Sequence, residues 1–296
     1  MSEHKKTRKR SSYHNVEAYD DELDLVLELL EESKPYEEAL AKQFQEAFDK
    51  LLELYERVLP FYFKTGLNNK KMMELANSLY DDKGRISSDV DRVLNEIKRE
   101  TFSLEVQYLT AWLIIDYETT ARTTAKAINL DTSQLLMRLS FGQAQKTIEK
   151  PWCDDKKTYI QRIEDITSTM DKQLRMVIVQ GIRRGWSVER MTEIFRNITG
   201  AAEYKARRLI RTETMAVYSK VTKDIYLEKG IEYVEIIGDA ACGGICLDYV
   251  DTVIPLADAD IGIDLPPYHP NCCCSFCCYE EYGELDSEEE TEDFEE

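Results

Sequence analysis

The chain has no apolar run near the roughly 18 residues that a membrane-crossing helix needs; its densest patch spans only residues 111–115. A helical membrane protein is therefore excluded. The first residues, Met1-Ser-Glu-His-Lys-Lys, carry charge but no apolar stretch, so export by a signal peptide is not expected. Glycine and proline are scarce, 12 and 7 in 296 residues, which excludes a collagen-like chain and points to long helices. Histidine is scarcer still. Of the three, His4 and His14 lie near the start, so His269 is the one imidazole of the rest of the chain. No P-loop, Rossmann glycine run, Ser-His-Asp order or His-Glu-x-x-His occurs, so no familiar nucleotide-binding or hydrolytic signature is present.

Acidic side chains, in contrast, are abundant. Asp and Glu number 57 against 38 Lys and Arg, a formal charge of −19. Residues 280–296 hold 11 acids and no base, and residues 1–10 hold five bases and one acid. Setting aside those ends at −11 and +4 leaves −12 for the remainder. A body of that sign repels phosphate and is not expected to coat DNA by releasing counterions. The two ends read as solvated tails. Lys5, Lys6, Arg8, Lys9 and Arg10 offer a tether for nucleic acid or an acidic partner.

Apolar residues recur at helical spacing over most of the length. Residues 20–30 and 36–59 read as helices, the second with Tyr36, Leu40, Phe44, Phe48, Leu51, Leu52 and Tyr55 on one stripe. That aromatic stripe serves either as a contact surface for a partner or as the lining of an internal core. Pro35 fits a first helical turn and Pro60 ends or kinks the helix. Ser87 or Ser88 caps a helix toward Ile97, residues 102–128 form a long central helix, and Asp131 or Thr132 caps another. Further helices are expected at 158–181, 187–197 and 201–229, the last closed by Gly230. Residues 231–237 and 252–256 then read as short strands. The expected fold is mainly α: a long helical body, a small α+β cysteine-rich module that binds zinc, and a disordered acidic tail. The corresponding segments are a basic flexible tail at 1–16, a helical N-terminal body at 17–157, a second domain at 158–279 with its Cys/His module at 239–278, and the acidic tail at 280–296.

Seven of the eight cysteines fall between Cys242 and Cys278. In a reducing compartment such a cluster holds a metal more readily than disulfides, although disulfides or unliganded thiols remain the alternative. Zinc takes four sulfur or imidazole ligands in a tetrahedron. Cys242 and Cys246 form the first pair, with Gly243 and Gly244 allowing the tight bend between them. His269 joins them, and Cys272 or Cys274 completes the set. Cys272, Cys273 and Cys274 cannot all face one ion if that segment is extended, because side chains alternate there. A catalytic thiol would need a base, for which His269 is the only histidine at hand.

On the helix before the module, Arg211 and Glu213 are two residues apart, about 200° around the axis, and cannot share one substrate. Glu203, Arg207 and Arg211 instead form a four-residue ladder on an exposed face. Glu213 lies among Leu209, Ile210, Ala216 and Val217, where a carboxylate needs partners, and is expected to anchor the cysteine-rich end. Asp248 and Asp251 read as turn residues rather than as a nuclease metal pair.

Taken in order, residues 163–278 resemble the phage head morphogenesis family, the Mu F-like minor head proteins. The resemblance rests on Arg211-Thr212-Glu213 in a helix and Asp239 before the cysteine pair Cys242 and Cys246. A hydrophobic hairpin at 251–256 follows, and then Pro266-Pro-Tyr-His-Pro-Asn-Cys-Cys-Cys274. Where the family usually has Arg between its last two cysteines, this chain has Cys273. The resemblance implies a structural virion protein rather than an enzyme. Such a minor capsid protein works in the head interior, and in the host cytoplasm during assembly. Its implied partners are the portal protein and the major capsid or scaffolding protein. It would act in head assembly and in DNA packaging or delivery. Two other classes compete with it: a toxin-like nuclease or ADP-ribosyltransferase of the kind sometimes fused to Mu F-like domains, and a zinc-dependent nucleic-acid-binding protein. An extra domain after the cysteines would favour the first, and the acidic body argues against the second.

Overall fold

The computed structural model describes residues 9–10, 16–58, 88–130, 140–184, 186–238 and 244–279. Among the described residues, six helices precede the sheet strands of the C-terminal end: α1 (Val16–Glu32), α2 (Lys34–Val58), α3 (Ser88–Ala127), α4 (Phe141–Ile148), α5 (Tyr159–Arg184) and α6 (Val188–Lys229). None is long and apolar enough to cross a membrane.

Local sequence accounts for several boundaries. Pro35 sits in the first turn of α2, where its missing N–H costs no bond. Ser140 and Ser187 cap α4 and α6 by accepting from the N–H groups of Gln143 and Arg190. Gly230 closes α6 with φ 84°, while the N–H groups of Gly230 and Ile231 bond the Leu227 and Tyr226 carbonyls. This is the αL termination that glycine makes cheap. Two expected interruptions are absent. Residues 88–127 form one 40-residue helix, and α6 runs unbroken for 42 residues through Thr199 and Gly200. Thr199 Oγ1 bonds the Phe195 carbonyl, 3.1 Å away, so the hydroxyl is satisfied without leaving the helix. The caps expected at Ser87 and at Asp131 or Thr132 lie outside the described residues, as does Pro60.

One core runs from Leu40 to Ile225, shared by α2, α3, α4, α5 and α6. Phe44 and Phe48 are buried in it, and Tyr36 packs its ring 5.2 Å from that of Trp112. Tyr36, Phe44 and Phe48 of the α2 stripe therefore line the core and are not a free contact surface. Residues 212–222 of α6 are buried on every side of the helix. Trp112 donates to Thr214 Oγ1 at 2.7 Å, and Met215 and Tyr218 pack against Val26 and Leu29 of α1. Glu213 and Lys220 face the connector between α4 and α5.

After α6 comes a small antiparallel sheet of β1 (Lys9–Arg10), β2 (Tyr233–Ile237), β3 (Thr252–Pro255) and β4 (Ser275–Cys278), in the order β1-β3-β2-β4. β2 pairs with β3 with Val234 opposite Ile254, and with β4 with Ile236 opposite Phe276. Lys9–Arg10, from the stretch read as a tail, pairs with Thr252 and Val253. Val234, Ile236, Ile254, Leu256 and Phe276 form a second core with Tyr226 of α6, whose ring meets Phe276 edge-on at 6.0 Å. The module is thus seated on the last turns of α6. The fold is mainly helical with a small C-terminal sheet that carries a Cys/His cluster. The acidic tail at 280–296 lies outside the described residues.

Candidate metal centre

Three ligating side chains converge at the edge of this module. Cys246 belongs to a short 3₁₀ turn, Gly244–Asp248. His269 and Cys272 share a second turn, closed by a bond from the Cys272 N–H to the His269 carbonyl at 3.1 Å. Asn271 holds that turn with φ 63°, a left-handed conformation that Asn tolerates better than most residues. The Asn271 N–H donates to Thr212 Oγ1 at 3.2 Å, so the ligand turn is bonded directly to α6. Tyr268 stacks on Tyr249 at 4.1 Å and holds the two ligand turns side by side.

Cys246 Sγ lies 2.9 Å from His269 Nε2 and 3.6 Å from Cys272 Sγ, and the three ligand atoms all lie within 4.8 Å of one another. Two sulfurs bound about 2.3 Å from one tetrahedral zinc must sit roughly 3.7 Å apart, close to the separation seen. Cys246 and Cys272 are buried and His269 is partly open. The His269 Nδ1 is 2.9 Å from the Pro270 carbonyl and can only donate to it, so in the neutral imidazole the acceptor is Nε2, the atom that faces Cys246. Cys272 is pulled well below the usual thiol range. The main cause is a hydrogen bond from Cys274, helped by the backbone at Tyr268 and Cys274 and by Cys246, against the cost of burial. The thiolate is the form that binds metal, so the donor chemistry fits a soft divalent ion.

Of the two candidates for the final ligand, Cys272 is the one that joins Cys246 and His269. Cys274 is fully buried against Gly238, where an added Cβ would come within 2.7 Å of its Sγ. Its part is to hydrogen-bond Cys272. Cys242 and Asp239 lie outside the described residues. Cys277 and Cys278 are in β4, with Cys277 paired across to Glu235.

The Arg211-Thr212-Glu213 motif divides among three partners. Arg211 does not extend the ladder that Arg207 makes with Glu203; its Nε donates to Glu37 Oε1 of α2 at 2.8 Å. Thr212 holds the ligand turn, the task expected of Glu213. Glu213 accepts from Trp152 Nε1 at 3.1 Å and pairs with Arg162 of α5. Burial pushes the Glu213 carboxyl up, opposed by Arg162 and Trp152. Arg162 also binds Asp155 at 2.8 Å and lies 5.1 Å over the Trp152 ring. Burial works against the Asp155 charge, but Arg162 and the Lys157 N–H hold its carboxyl well below the usual range. Trp152, Asp155 and Arg162 carry no motif, and nothing in the sequence assigned them to this site. The only available signal was an apolar environment around Glu213 that demanded a cation from elsewhere. A cleft of about 380 Å³ opens here, with Trp152, Arg162, Thr212 and Glu213 on one side and Tyr268 and His269 on the other.

No family model matches this chain, and no curated protein or solved structure is detectably similar to it.

Proposed function

We propose that the chain is a minor head protein of a tailed phage or prophage, and that its Cys/His module is a structural zinc site. The observation that carries this reading is the bond between Thr212 and Asn271. It joins the two halves of the motif that resembles the Mu F-like family, one on α6 and one in the ligand turn. Separate in sequence by 59 residues, they form one physical unit, which favours a genuine motif over a chance string. Zinc is favoured over disulfides because the buried thiols lie beside an imidazole that is oriented to accept.

The role is assembly on the portal and capsid interior rather than catalysis. With Tyr36, Phe44 and Phe48 of α2 used in the core, the contact surface falls to the module and the chain ends. Ile245 and Leu247, on either side of Cys246, are 59% and 53% exposed. Apolar side chains presented by a metal-braced turn suit a docking contact. Co-sedimentation of the full chain with portal protein tests the reading. Binding is expected, and I245D/L247D should abolish it while the metal content stays at that of wild type. No binding to portal, capsid or scaffolding protein, or particles that are normal without this chain, would overturn it.

A further inference from the structure

We propose that a second cleft, on the other side of Trp152 from the metal centre, binds phosphoryl oxyanions such as those of a nucleotide or a nucleic-acid strand. The cleft has a volume of about 630 Å³ and lies between α4, the connector that follows it, α6 and the loop before β4. Five lysines line it: Lys146, Lys150, Lys156, Lys220 and Lys223. Against them stand three acids, Asp154, Asp224 and Asp260. This excess of bases is found in a chain whose net charge is −19. Among the described residues, none of the five forms an ion pair, whereas Lys34, Lys50 and Lys157 all do.

The two lysines at the floor are held in place by backbone carbonyls rather than by carboxylates. Lys220 is 7% exposed and donates to the Thr147 and Lys150 carbonyls at 3.1 and 2.7 Å. Lys223 donates to the Ala259 carbonyl at 2.6 Å. Lys220 thereby cancels the negative end of α4 that would otherwise repel an anion. An ammonium has three N–H donors, so Lys220 keeps one and Lys223 two beyond these bonds. Lys146, Lys150 and Lys156 stand exposed at the rim. Convergent ammonium groups repel one another unless a counter-charge enters; Glu213 and Asp224 act on Lys220, but none of the five lysines is held in an ion pair among the described residues. Trp152, Ile261 and Ile263 add an apolar wall, suited to a ligand with both phosphate and a base. The acidic body prevents the chain from coating a duplex. A cleft of this kind takes a single strand or a small phosphorylated molecule instead. The proposal is independent of the assembly role and of the metal.

The test uses the full chain with two probes at low salt: a fluorescently labelled oligothymidylate and inorganic tripolyphosphate. The rim variant K146Q/K150Q/K156Q is compared with K42Q/R99Q/K172Q, which removes the same charge from α2, α3 and α5. The rim variant is expected to lose roughly tenfold or more in affinity, and its log–log salt slope for the oligonucleotide should be shallower by about 0.7 per phosphate contact removed. The control variant should bind like wild type. Binding of both probes with mutual competition identifies a strand, and binding of tripolyphosphate alone identifies a small phosphorylated ligand. No binding of either probe overturns the proposal. So does binding that the rim variant retains, which would place the anion on the basic residues 5–10.

Discussion

At the residue scale the cysteines have distinct duties that spacing alone did not separate. Cys272 and Cys274 have the same chemistry and are two residues apart, so an extended run presents them to one side. The turn at Asn271 decides between them by swinging Cys272 toward Cys246. The metal content of reduced protein purified without chelator should therefore fall to near zero in H269A and C272S, and remain near one ion per chain in C274S. Equal loss in C274S would move the fourth ligand back to that position. The Glu213 network makes a separate prediction. Removing one partner of a buried ion pair leaves the other charge uncompensated, at a cost of about 3–5 kcal/mol. R162M should lose stability on that scale in guanidinium unfolding. E213Q should lose less, because Arg162 retains Asp155. That Glu213 needed partners was legible from its apolar neighbours. Which partners it took was not, since Trp152 and Arg162 reach it from 61 and 51 residues away.

At the element scale the helices and the strands β2 and β3 were legible because their apolar periods are regular. The errors came from reading isolated features as stops. Asn197-Ile-Thr-Gly200 has the composition of a helix end, yet α6 continues because tertiary burial of residues 202–225 outweighs the local cost. Gly200 is accordingly a weak point without a purpose visible in the fold. It is exposed, helical, and an added Cβ would meet nothing within 4 Å. Gly200→Ala should stabilise the chain by about 0.5–1 kcal/mol, measured as a higher thermal midpoint with unchanged metal content. β4 escaped the sequence reading for a different reason. Its four residues, Ser275–Cys278, follow a run of cysteines read as ligands, and its strand character comes from pairing with β2. Short strands take their stability from neighbours, not from their own period.

At the scale of the whole molecule, the helical body contains carboxyl groups that its core does not satisfy. Both oxygens of Glu105 and Oδ2 of Asp116 are buried without a hydrogen-bond partner among the described residues, while Thr120 donates to Asp116 Oδ1 at 3.2 Å. Burial raises both groups well above the ordinary carboxyl range, and for Asp116 the nearby Glu32 adds to the shift. Both acids are thus protonated in the fold at pH values where the unfolded chain has ionised them. Between the unfolded values near 4 and the raised folded values, the native state binds more protons, so stability falls as pH rises. Each acid contributes a slope approaching about 1.4 kcal/mol per pH unit within that window. Other groups act in the same range. Burial lowers Lys220 to about 8, which makes stability rise with pH from there toward 10.5, and the depressed Cys272 acts likewise at lower pH. These contributions are common to wild type and to E105Q/D116N, so they cancel in the difference between the two. That difference, from urea unfolding at a series of pH values above 5, should grow in favour of the variant as pH rises. A difference that stays flat with pH would mean that both carboxyls ionise in the fold as they do in the unfolded chain, with water or a rearranged donor reaching them inside the bundle.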